Sequence, residues 1–119
     1  MQGNLIAIPI IVPGTLTADV VFRMVAPFGM QLVKVTAYTD NALTFILDIG
    51  TQANPDAYLD AVTVTGVTAT TTEYGRTDFV DDQYPKIADG DEVIATIDYD
   101  GGNGNDSANV CVVLWLYEG

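Results

Sequence analysis

Carboxylates gathered around a glycine-rich turn are the first feature of this sequence that could do chemistry. The segment Gly101-Gly102-Asn103-Gly104-Asn105-Asp106-Ser107-Ala108 fits one nonapeptide of the calcium-binding β-roll repeats, whose tight turns present oxygen ligands. Asp98, Asp100 and Asp106 are the candidate ligands, since a hard cation such as calcium takes carboxylate oxygens. In those repeats neighbouring turns stack and share each ion. Here there is one copy, and Ala108 stands where a large aliphatic residue is expected. A hairpin loop that holds no cofactor is the simpler reading.

The remaining reactive groups do not combine into a catalytic set. Histidine is absent, which removes the commonest general base and transition-metal ligand at once. Cys111 is the single cysteine; it has no base to activate it, cannot form an internal disulfide and reads as a small core residue. Ser107 is the single serine, so no serine triad can be assembled. Asp81-Asp82 and Asp91-Glu92 are adjacent pairs, and neighbours on a strand point to opposite faces, so neither pair can flank one scissile bond. They read as loop and turn residues. The expectation is a protein that is not an enzyme and works by binding and assembling.

Charge narrows the partners. Against 16 acidic residues stand four basic ones, giving a net charge of −12. Nucleic-acid binding starts from cations that displace counterions from phosphates, and an anionic membrane would repel this chain for the same reason. Neither nucleic acid nor a membrane is expected as a partner. The apolar run from Leu5 to Val12 is too short for a span of about 20 residues and lacks the basic flank of an export signal.

Hydrophobic residues make up 49% of 119 positions, enough for one domain with its own core over residues 1–119. Alternation with period two recurs, and no helical period does. Val20, Phe22, Met24 and Ala26 share one face; so do Val33, Val35 and Ala37, and so do Leu43, Phe45, Leu47 and Ile49. A strand centred on Val62 and Val64 follows, and later Val93, Ala95, Ile97 and Tyr99 line up. Turns fall at Pro13-Gly14, Pro27-Phe28-Gly29, Asp40-Asn41 and Asp89-Gly90-Asp91. Between them, 68–86 is the least regular region: a solvated connection with one short strand, or an assembly loop. The expected fold is all-β: an antiparallel β-sandwich, jelly-roll-like, of about seven to eight strands.

Both ends of the chain are greasy. From Asn109 to Tyr117 the last strand is apolar on both faces, so it is either central and covered or covered by a partner chain. Trp115, in the middle of that strand, suits core packing; Tyr38, Tyr58, Tyr74 and Tyr84 are better surface candidates for sugar or protein contacts. At the other end, residues 1–13 form an edge strand or an inter-subunit arm, because Pro9 lacks a ladder donor. The candidate interface comprises Leu5, Ile6, Ile8, Pro9, Ile10, Ile11 and Val12, with Trp115 and Tyr117.

The run Phe22-Arg23-Met24-Val25-Ala26-Pro27-Phe28-Gly29 leading into Leu32-Val33-Lys34-Val35, the turn Asp89-Gly90-Asp91-Glu92-Val93 and the ending Val113-Leu114-Trp115-Leu116-Tyr117-Glu118-Gly119 carry a resemblance. Together they resemble small virion proteins of tailed bacteriophages, above all the jelly-roll decoration, or cement, proteins of the capsid. The resemblance lies in length, strand rhythm and ending across most of the chain, and the glycine-rich loop has no counterpart in it. It implies a homo-oligomer, a trimer or a dimer, made in the host cytoplasm and seated on the outer surface of the virion capsid. There it would contact the major capsid protein and brace the shell. It carries over no catalytic residue. The alternative is a carbohydrate- or receptor-binding β-sandwich module of a phage fibre or tail.

Overall fold

β-Branched and aromatic side chains at every second position favour a pleated surface with one buried face, and two such surfaces bury each other. The computed structural model realises this arrangement and describes residues 4–39, 44–65, 71–98 and 108–119. Among the described residues nine strands run in chain order: β1 (Leu5–Thr15), β2 (Val20–Val25), β3 (Met30–Tyr38), β4 (Thr44–Gly50), β5 (Leu59–Thr65), β6 (Thr72–Tyr74), β7 (Lys86–Ile87), β8 (Glu92–Asp98) and β9 (Ala108–Glu118). All pairings are antiparallel. One sheet has the order β1-β9-β3-β6, with the two-residue β7 also on β3; the other has the order β2-β8-β4-β5. With β7 set aside, these are the two four-stranded sheets of a jelly roll, in which the first and last strands lie side by side.

The core lies between the sheets. Val110, Val112, Leu114 and Leu116 of β9 face Phe45, Leu47 and Ile49 of β4 and Val93, Ala95 and Ile97 of β8, all essentially inaccessible to water. Full burial of each larger side chain contributes roughly 1.5–3 kcal/mol. Gly50 ends β4 against a tight loop, where a Cβ would come within 3.0 Å of the backbone of Asn54, Pro55 and Ala57. No larger residue fits there.

Several expectations are corrected. Val33 does not share a face with Val35 and Ala37, because a bulge between Leu32 and Lys34 inserts one residue and moves Leu32 onto the core row. The described part of the 68–86 region, residues 71–86, holds two short strands, β6 and the start of β7, and two single 3₁₀ turns at Arg76–Asp78 and Val80–Asp82. It is pinned by buried Tyr74 and Phe79, so Tyr74 is a core residue and not a surface aromatic. Tyr74 also donates to the Thr63 carbonyl at 3.2 Å. Leu43 and Tyr99, placed on inward rows from the sequence, lie outside the described residues.

Candidate assembly surface

In an antiparallel strand each residue directs its N–H and C=O to the same side, and successive residues alternate between sides. The Asn4 carbonyl accepts from the Glu118 amide at 2.9 Å, which sets the parity of β1. Even-numbered residues from Ile6 to Val12 therefore turn their backbone groups toward β9. Leu5, Ala7, Pro9 and Ile11 turn theirs to the open edge of the sheet, beyond which no further strand is paired among the described residues. Pro9, with no N–H, occupies a position where β9 needs no donor from it.

Side chains follow the same parity. Ile10 is buried in the protomer's own core, and Ile6, Ile8 and Val12 pack against that core while remaining half-exposed at the rim of the sandwich. Leu5 and Ile11 point outward at 57% and 68% exposure, with Ala7 and Pro9 exposed between them. The seven interface candidates on β1 thus divide. Ile6, Ile8, Ile10 and Val12 serve this chain's interior first, and Leu5, Pro9 and Ile11 are presented outward. Sequence pattern alone could not make this division, since both faces of β1 are apolar.

The outward row of β1 continues across β9. Leu5 sits opposite Tyr117, Ala7 opposite Trp115, Pro9 opposite Val113 and Ile11 opposite Cys111. This corrects two expectations: Trp115 and Cys111 are half-buried on the outer face and are not core residues, and β9 is central with only its inner face fully covered. The Trp115 indole N–H donates to the Thr36 hydroxyl on β3 at 3.3 Å. Around them, Leu5, Val33, Lys34, Thr36, Glu73 and Trp115 enclose a shallow hollow of about 220 Å³. Lys34 and Glu73 pair across its far rim at 3.8 Å. No charged residue lies between Leu5 and Thr15, or between Ala108 and Tyr117.

Elsewhere the surface carries acidic clusters and turns, with Val21 and Val25 exposed on β2 beside Arg23. Asp48, Asp56 and Asp60 crowd one another on the β4–β5 side, and the Asp56 charge above all pushes the Asp60 carboxyl up from its ordinary value. Asp81 and Asp82 stand in left-handed backbone conformations at φ 61° and 52°, exposed in the second 3₁₀ turn. Asp91 accepts from the Ala88 amide and Glu92 pairs with Arg23 at 3.6 Å, so this second pair is occupied in a turn and a surface contact. Of the three candidate calcium ligands, Asp98 closes β8 opposite Ile46, while Asp100 and Asp106 lie outside the described residues. Among the described residues no three His, Cys, Asp or Glu side chains converge as metal ligands.

A second concavity, of about 550 Å³, opens where the 3₁₀ turns meet the β5 entry, with Tyr58, Arg76, Asp82, Tyr84 and Lys86 among its walls. Arg76 donates to the Asp82 carbonyl at 3.2 Å, and Tyr84 stands edge-on to Phe79 at 6.4 Å. Burial, with a smaller push from Asp91, raises the Tyr58 phenol above its ordinary value. Tyr58 and Tyr84 are 26 positions apart in sequence, and nothing in the pattern there announced that they share a groove.

No protein-family model and no curated protein matches this chain. Among solved structures, it is similar to a chain of the cyanophage Pam1 capsid asymmetric unit, with a TM-score of 0.59 and 19% identity over 99% of this chain and 87% of the other. At that identity the likeness is one of fold.

Proposed function

We propose that this chain is a structural virion protein: a capsid decoration, or cement, protein that works as a homo-oligomer on the outer surface of a phage head and stabilises it. The observation that carries the reading is one uncharged apolar surface, β1 and the outer row of β9, on a chain of net charge −12. Contiguous exposed apolar residues mark sites of contact, and Trp and Tyr, here Trp115 and Tyr117, are frequent anchors of such contacts. The jelly-roll strand order and the fold likeness to a chain of a phage capsid unit support the same class. The acidic remainder suits an outer surface better than one lining packaged DNA, where phosphate would repel it. On this reading the partner is the major capsid protein, and the contact runs through the hollow beside Trp115.

The test mixes purified chain with heads of a phage that encodes it, assembled without it. Saturable co-sedimentation and a raised melting temperature of the heads are expected, both lost in Trp115→Ala/Tyr117→Ala. A chain that stays in the supernatant, or that is found only on tails, would overturn the reading. One observation favours the alternative of a carbohydrate- or receptor-binding module, the groove that gathers Tyr58 and Tyr84. A glycan array with hits abolished by Tyr84→Ala would select it.

A further inference from the structure

We infer that β1 is a self-pairing edge: two copies of this chain join antiparallel through their first strands, about a two-fold axis beside Ile8. The inference deepens the homo-oligomer of the proposed function by naming the contact, and it stands on the edge itself. Natural edge strands are kept short, charged or covered, because open N–H and C=O groups recruit other strands. β1 has 11 residues, against a usual five or six, and carries no charge. Its open side offers the N–H and C=O of Leu5, Ala7 and Ile11 and the carbonyl of Pro9.

The occupant must be apolar on both faces. Outward, it has to cover Leu5, Ala7, Pro9 and Ile11. Inward, it has to finish the burial of Ile6, Ile8 and Val12, which point at the core but stay half-exposed at the rim. Among the described residues two strands have this character, β1 and β9, and β9 is already paired on both sides. That leaves β1 of a second copy. Charge agrees: two bodies of net charge −12 can approach only where neither presents a carboxylate, and the β1 edge is such a place.

Pro9 selects the register. Centring the pair on Pro9 would oppose two residues without donors, and centring it on Ala7 would leave Ile11 beyond the second copy's Leu5. With the axis at Ile8, Leu5 and Ile11 of the two copies exchange both backbone bonds. The Ala7 amide then donates to the Pro9 carbonyl of the other copy, and the return bond from Pro9 to the Ala7 carbonyl is the one the pair lacks. Outward side chains oppose as Leu5 with Ile11 and Ala7 with Pro9. On the inward face Ile6 opposes Ile10, and the two Ile8 side chains meet at a non-hydrogen-bonded pair, the closest approach an antiparallel ladder allows.

Analytical ultracentrifugation of the free chain, without heads, reads the dimer directly. Ala7→Pro removes donors used only at the open edge and is expected to weaken dimerisation about tenfold or more, while Pro9→Ala restores donors and tightens it. In a Cys111→Ala background, Ile8→Cys is expected to form an intermolecular disulfide on oxidation, because its Cα atoms meet within bridging distance. Circular dichroism of each variant verifies the fold. A chain that remains monomeric at high micromolar concentration overturns the inference. So does a dimer that ignores both proline changes or fails to crosslink through position 8. Head binding is read separately, so a monomer that still coats heads would sink this contact and leave the proposed function standing.

Discussion

Trp115 and Thr36 are joined across β9 and β3 by an indole N–H that donates to a hydroxyl at 3.3 Å, on the face turned away from the core. The bond fixes the largest side chain of the outer row over the hollow. Thr36→Val keeps the β-branched shape and removes the acceptor. The expected cost is about 1 kcal/mol in urea unfolding, the net value of an ordinary hydrogen bond. Trp115 is the single tryptophan, so a changed emission maximum in the folded variant would report its release.

Two apolar truncations should separate core from surface. Phe45 is inaccessible on the inward row of β4, and Phe45→Ala is expected to cost about 3–5 kcal/mol. Ile11→Ala, at an outward position, is expected to stay within about 0.5 kcal/mol when measured under monomeric conditions. Equal costs would mean that the assignment of faces on β1 is wrong.

Burial, and secondarily the Asp78 carboxylate, push the Tyr74 phenol up to about 12. An acid that is harder to ionise in the folded state retains its proton after the unfolded chain has lost one. Its stabilising effect is whole below pH of about 10 and is lost as pH climbs from about 10 to 12, amounting to roughly 2 kcal/mol. Melting temperature should fall across that window, with Tyr58 acting in the same direction. Tyr74→Phe forfeits the bond to Thr63 at about 1 kcal/mol near neutrality and should shrink the alkaline loss.

The Ala61 amide donates to the Asp48 carboxylate at 2.7 Å where Ala61 takes a left-handed φ of 49° and the β4–β5 register shifts. Asp48→Ala removes the acceptor and is expected to lower stability by about 1–2 kcal/mol. Asp48→Asn keeps an acceptor and lowers the negative charge facing Asp60, so thermal denaturation should place it close to the parent chain.

Self-association should strengthen with salt. Copies of net charge −12 repel, and raising ionic strength from about 0.01 M to 0.15 M shortens screening from roughly 30 Å to 8 Å. An interface held by ion pairs would weaken over the same range. Sedimentation velocity at the two salt concentrations distinguishes them.

Much of the architecture was legible in the residues. Phe45, Leu47 and Ile49 alternate cleanly because one face of β4 is buried, whereas β9 is apolar on both faces and its buried row from Val110 to Leu116 emerges only from the packing. Val33 was misplaced because counting by twos cannot see an inserted residue; only the β3–β9 register reveals the bulge. The candidate surface was half legible. Composition singled out Leu5 to Val12, but which of those residues face out depends on parity, which the Asn4–Glu118 bond fixes. Tyr74 looked like its neighbours in a polar stretch, and its burial depends on packing against strands distant in sequence. The candidate calcium ligands stay where the sequence left them, since Asp100 and Asp106 lie outside the described residues.

β9 is the partner of both β1 and β3, and Leu5 meets Tyr117 across nearly the whole chain. During synthesis the first strand therefore emerges long before the segment that completes its sheet. Until Ala108–Glu118 is available, an uncharged, sticky ribbon has nothing of its own to dock on. Contacts this distant in sequence close slowly, so nascent copies should be most prone to tangle at that stage and to gain most from a chaperone.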